Sequence, residues 1–159
     1  MKNIIEININ NYEDVIEKFD NAKLSNDLAN FIYNQYMALP INRKPEINIK
    51  TICDLTEEQQ GNIADIIHKH FGLEVQKSIV AFRHKIKYQV LLFLIGVLLI
   101  AVSNLNFMSE LGTIHELFLI AGWVAVWELI YDGFFVDFKE KIKRKRYKKL
   151  SNIKINYIK

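Results

Sequence analysis

The sequence predicts an α+β membrane protein, in which a small cytoplasmic βαβα module joins a two-helix transmembrane hairpin and a C-terminal strand returns to the sheet. Three observations predict it. Two apolar stretches, 88–105 and 117–136, stand eleven residues apart in the second half of the 159-residue chain. Basic residues lie outside these stretches and never between them. Three segments, at 3–9, 46–52 and 152–159, alternate isoleucine with polar residues, which is the period of a half-buried strand.

The chain opens with NIIEINI, where Ile5, Ile7 and Ile9 alternate with Glu6 and Asn8, so a strand is expected there. A short helical piece is expected over YEDVIEKF. Ser25 is placed to cap a clearer helix over NDLANFIYNQYMAL, whose Leu28, Phe31, Ile32, Tyr36 and Leu39 recur at helical spacing. Pro40 ends that helix and PINRKP is read as a loop. EINIKTI then repeats the strand pattern through Ile47, Ile49 and Thr51. Thr56 and Gln59 form a capping box for the next helix, with Ile63, Ile66, Ile67 and His70 as its apolar stripe. Gly72 is expected to terminate it. Beyond Leu73 no breaker occurs before Asn104, and Val75, Ile79, Phe82 and Ile86 step along one face, so a stalk helix is expected to run unbroken into the first span.

The first apolar stretch carries no charge over eighteen residues, nearly enough helix for a hydrocarbon core about 30 Å thick. The second has the length but contains Glu128 and Asp132, each costing roughly 2.5–3.5 kcal/mol at a bilayer centre. Both lie toward the end that the basic run KIKRKRYKKL follows. The intervening NFMSELGTIHE has Glu110 and Glu116 but no lysine or arginine, whereas Arg83, Lys85 and Lys87 precede the first span. The positive-inside rule then puts the loop outside and both termini in the cytoplasm. NIKINYIK repeats the strand grammar at the end of the chain. The expected organisation is a cytoplasmic domain at 1–72, a stalk at 73–87, the hairpin at 88–136 and a basic tail with the terminal strand at 137–159.

The order of elements resembles a family of small, uncharacterised prokaryotic two-span membrane proteins with a cytoplasmic α+β domain. The resemblance rests on KLSNDLANFIYNQYMALP, on IIHKHFG, and on IAGWVAVWELIYDGFF followed by RYKKL and a short strand. It spans most of the chain and assigns no activity to the protein and no role to any residue; the location expected from the two spans is the inner membrane.

One cysteine, Cys53, excludes an internal disulfide framework and fits a reduced thiol. The N-terminal twenty residues lack the basic region and apolar core of a cleavable signal peptide. The net charge of +3 conceals a strongly basic tail, which is read as a topology anchor before it is read as a nucleic-acid site.

Heptad spacing puts Phe118, Ala121, Ala125, Glu128 and Asp132 on one side of the second span, and Gln89, Phe93, Gly96, Ile100 and Ser103 on one side of the first. Antiparallel pairing sets Lys85 and Gln89 opposite Glu128 and Asp132, with Gly96 near Ala125. This intramembrane polar seam, Lys85, Gln89, Gly96, Ala121, Ala125, Glu128 and Asp132, is read as fixing the hairpin's register rather than as titrating in an ion path. Trp123, Trp127 and Tyr131 follow one face and are read as interfacial anchors, not a stacking site. Lys141, Lys143, Arg144, Lys145, Arg146, Lys148 and Lys149 are read as facing anionic lipid, each worth about 1 kcal/mol near the inner leaflet.

No catalytic residue, metal ligand or cofactor is expected. His68 and His70 are two apart on a helix and point away from each other, so His70 is read as packed and His68 as solvated. Cys53 lacks the setting of an activated nucleophile, and the glycines are scattered singly, with no phosphate-cradling loop. The expected function is a non-enzymatic interaction or sensing module on a two-helix anchor, self-associating, with membrane lipids and a cytoplasmic protein as partners and nucleic acid disfavoured. The alternative is an oligomeric effector or pore subunit gated from the cytoplasmic module.

Overall fold

The computed structural model describes residues 3–40, 44–51, 55–105 and 112–158. Cys53 and Glu110 lie outside the described residues. The chain mixes helix and strand and contains two helices long and apolar enough to cross a membrane. It divides into two compact units, residues 1–77 with 144–159, and residues 78–143.

In the first unit, β1 (Asn3–Ile9) is followed by a 3-10 turn (Tyr12–Asp14) and a small antiparallel hairpin of β2 (Ile16–Glu17) and β3 (Asp20–Leu24). The sequence reading of a helical piece over YEDVIEKF is corrected here. Eight residues with adjacent β-branched Val15 and Ile16 are too few to sustain a helix. The hairpin instead buries Val15 and Leu24 completely. The turn is held by the Asn11 N–H donating to the Asp14 carboxylate at 3.1 Å.

Helix α1 (Asn26–Met37) buries Ala29, Ile32 and Tyr36, while Phe31, expected on that stripe, is exposed. Ser25 occupies the N-cap position, but its side chain makes no capping bond; its carbonyl accepts the Ala29 N–H at 2.9 Å. β4 (Pro45–Thr51) then lies parallel to β1, pairing Ile5 with Ile47 and Ile7 with Ile49. β5 (Lys154–Ile158) lies parallel to β4 on its other side, pairing Ile47 with Ile155 and Ile49 with Tyr157. The sheet order β1-β4-β5 places the middle strand between segments from opposite ends of the chain.

Alternation gives the sheet an apolar side, with Ile5, Ile7, Ile9, Ile47 and Ile49 buried in one cluster with α1 residues, Ile63, Ile67 and Phe71. The other side is polar: Asn156 Nδ2 donates to Asn48 Oδ1 at 3.1 Å, and Lys50 pairs with Glu6 at 3.1 Å.

Helix α2 (Glu57–Ser103) starts at the box read from the sequence. The Gln59 N–H donates to Thr56 Oγ1 at 3.2 Å, and the Thr56 N–H donates to Gln59 Oε1 at 3.0 Å. Gly72 does not end it. A terminating glycine adopts positive φ, and Gly112 is the only described glycine that does. Gly72 instead keeps helical geometry, and no proline or further glycine follows it before Gly96 to interrupt the helix. α2 therefore passes from the first unit into the second. Helix α3 (Thr113–Tyr131) leads through a π-helical turn (Asp132–Val136) into α4 (Asp137–Leu150), which ends within the first unit.

Candidate functional site

The second unit is a pair of helices joined along a seam of small and polar residues. Gly96 and Gly122 let the backbones approach: a Cβ placed on Gly122 would stand 2.9 Å from the Gly96 carbonyl oxygen and 2.6 Å from Ile100 Cγ1. One placed on Gly96 would meet Ala125 Cβ at 3.0 Å. Ala125 and Gly122 are buried, and Ser103 closes the other end, buried and donating to the Ile100 carbonyl at 2.7 Å.

At the end of the seam near the basic segments, Lys85 Nζ lies 3.1 Å from Asp132 Oδ2 and 2.9 Å from Asp137 Oδ1. Gln89, buried, donates to Asp132 Oδ2 at 3.1 Å. Asp137 was not among the sequence candidates, and the π turn explains why. In a regular α-helix, residues five apart stand roughly 140° apart around the axis. The i→i+5 bonding of Asp132–Val136 brings positions 132 and 137 nearly above one another. Both carboxylates then reach one ammonium. No sequence signal marks such a turn beyond the five-residue spacing of the two aspartates and the intervening Gly133.

Two seam candidates fall elsewhere. Ala121 and Glu128 are exposed, and the Glu128 side chain makes no hydrogen bond or ion pair among the described residues. A heptad containing 118, 125 and 132 can be completed by 121 and 128 or by 122 and 129. The close approach of Gly122 to the opposite backbone selects the second set. The same phase applies on α2, where Leu92 is more covered than Phe93. Trp123, Trp127 and Tyr131 are all exposed, and Tyr131 packs on Phe135 at 5.1 Å between centroids.

The seven basic candidates divide. Lys141 and Lys143 belong to the second unit and are exposed. Arg146 does not face outward as expected. It is buried in the first unit, donates to the Tyr36 carbonyl at 3.0 Å and lies 5.5 Å from the centre of the Tyr36 ring. Its helical position one turn before Leu150, which is fully buried, places it on the core side of α4. Arg144 is half-buried. Lys145, Lys148 and Lys149 line a cavity together with Lys44 and Lys154.

Tyr147 stacks on Tyr33 at 5.0 Å and near Phe71 at 6.3 Å. Burial pushes the Tyr36 phenol pKa up, against the opposing pull of Arg146. Burial likewise raises Tyr157 to about 12, and its hydroxyl donates to the Gln60 carbonyl at 2.6 Å. His70 is held below the ordinary histidine range, chiefly by burial. His68, read as solvated, instead lies with Nε2 2.9 Å from the Ile153 carbonyl, because the chain end returns over that face of α2. Among the described residues, no three His, Cys, Asp or Glu side chains gather to hold a metal. Comparison with protein families, with curated proteins and with solved structures gives no match to this chain.

Proposed function

We propose that this chain is a non-enzymatic integral membrane protein, in which the two-helix hairpin anchors a small cytoplasmic interaction module with both termini inside. The observation that carries the reading is apolar exposure. Only 17% and 11% of the residues in the most apolar stretches of the two long helices are buried, whereas the core helix of a water-soluble protein is mostly covered. Leu91, Leu94, Leu98, Leu117, Ile120 and Val124 are each more than half exposed. A surface of that kind is a liability in water and is at rest in lipid. Lysines and arginines on the flanking segments support the inside orientation of both ends.

Reporters fused at Met1 and Lys159 test this directly. Both should report the cytoplasm, and the chain should stay with membranes after alkaline carbonate washing. Reporters in opposite compartments, or release of the chain into the wash, would overturn it.

Glu128 favours self-association in addition. A carboxylate exposed on an apolar helix is costly in lipid unless a neighbouring protein surface receives it. Crosslinking in membranes should trap oligomers that Glu128→Leu diminishes. Two helices cannot enclose a conduit, so the effector or pore-subunit alternative needs this oligomer, and liposomes loaded with dye would leak only if it holds.

A further inference from the structure

The first unit contains a cavity of about 630 Å³ that local patterning does not reveal, because its lining comes from positions about a hundred residues apart. Lys44 and Lys154 come from the strand side. Lys44 immediately precedes β4 and Lys154 begins β5; the strands run parallel with Glu46 opposite Lys154, so both lysines stand at the same end of the sheet. Lys145, Lys148 and Lys149 come from the last turns of α4, where spacings of three and four put them on one face.

Lysines in a last helical turn are ordinarily accounted for by the negative end of the helix. That account covers Lys148 and Lys149 and does nothing for Lys44 and Lys154. The helix end is moreover occupied from within: Ser151 Oγ and Asn152 Nδ2 donate to the Lys148 carbonyl at 3.1 and 3.2 Å. Among the described residues, Lys44, Lys145, Lys148 and Lys154 make no ion pair. Among the described residues Glu46 is the single carboxylate in the lining, and it accepts from Asn156 at 3.4 Å. The fold thus brings five lysines into the lining of one concave volume, four of them without an ion pair among the described residues.

We propose that this cavity binds a compact polyanion carrying two or more phosphate groups. A concave wall with an excess of one sign focuses the field on whatever enters it, and lysine ammonium groups bind phosphate as point charges. The volume lies within the range of small-ligand sites. One carboxylate or one phosphate would leave most of the lysines unmatched. No aromatic side chain lines the cavity among the described residues, so bases have nothing to stack on and nucleic acid is a poor fit. The site deepens the interaction-module reading by giving the module a ligand, and it rests on that reading only in placing the module where such anions occur.

The test uses the full chain in phosphatidylcholine nanodiscs, titrated calorimetrically with inorganic tripolyphosphate. Saturable binding is expected, and K44Q/K154Q should weaken it about 100-fold, about tenfold for each lost charge-assisted contact. K139Q/K141Q removes the same charge from α4 outside the cavity and should change the affinity less than about threefold. Melting curves check that the variants fold, and K145Q/K148Q is read if K44Q/K154Q does not. Adding cardiolipin to the discs separates the two sources of phosphate: displacement of tripolyphosphate identifies a lipid headgroup, and undiminished binding identifies a soluble ligand. Absence of saturable binding, or equal weakening by K139Q/K141Q, overturns the proposal. Either result leaves the topology intact, since the reporter fusions are read independently.

Discussion

Replacing Gly122 by alanine adds one methyl group at the tightest point between α2 and α3. The new Cβ would stand 2.6 Å from Ile100 Cγ1 and 2.9 Å from the Gly96 carbonyl oxygen. The isoleucine tip has some freedom to turn aside, whereas the carbonyl belongs to a helical backbone and does not. Relief requires the helices to separate by about half an ångström, and a gap of that size forfeits roughly a quarter of the dispersion energy of the facing atoms. Within lipid no hydrophobic term compensates, because the tails are as apolar as the helices. A cost of about 1–3 kcal/mol follows, a factor of roughly 5 to 150 in the pairing equilibrium.

Gly61→Ala is the control: it is an exposed position in the same α2 helix with nothing within 4 Å of its new Cβ, and it should stabilise by about 0.5–1 kcal/mol. SDS titration of the purified chain in mixed micelles, read by energy transfer between probes at exposed Leu98 and Leu117, measures the pairing of α2 and α3. Full-chain melting reads the control. If Gly122→Ala leaves the pairing unchanged, the helices do not meet through their glycines and the seam is wrong.

Lys85→Met leaves Asp132 and Asp137 facing each other without their shared cation, and should cost about 1–3 kcal/mol in the same titration. Asp137→Asn retains the Asp132 pair and should cost less; equal effects would refute the shared clamp. Tyr36→Phe removes a buried hydroxyl that has no hydrogen-bond partner among the described residues, so the full-chain melting temperature should hold or rise, by up to about 1 kcal/mol in stability. A clear loss would mean that the hydroxyl is satisfied.

His70 binds its proton less readily folded than unfolded, since burial lowers its pKa from 6.5. Lys77 and Lys23 push the same way and Glu74 opposes them. Its contribution to stability is therefore complete above pH 6.5 and is lost as pH falls from there through the lower folded value. Melting temperature should decline over that window, and His70→Gln should flatten the decline.

The strands β1 and β4, the α1 helix and the Thr56–Gln59 box were legible because each depends on local periodicity or on a four-residue motif. The two apolar stretches were legible because length and absence of charge need no partner to be read. Where reading failed, the deciding contact was distant. The 12–19 segment folds as a turn and hairpin because Val15 and Leu24 find a core that the segment does not itself contain. Arg146 sits in a run of six basic residues among seven positions, and nothing in that run distinguishes the one whose guanidinium meets the Tyr36 carbonyl.

For the seam, the amino-acid sequence determined which residue types recur every seven positions. The tertiary structure decided which half of the heptad is used, taking Gly122 and leaving Ala121 and Glu128 outside, and the π turn added Asp137 to the Lys85 clamp. Lys44, just before β4, and Lys154, on β5, likewise line one cavity with the lysines of α4 only because β4 and β5 pair in parallel. Periodicity is a property of one helix or strand alone, whereas phase and convergence are set by the surface that packs against it.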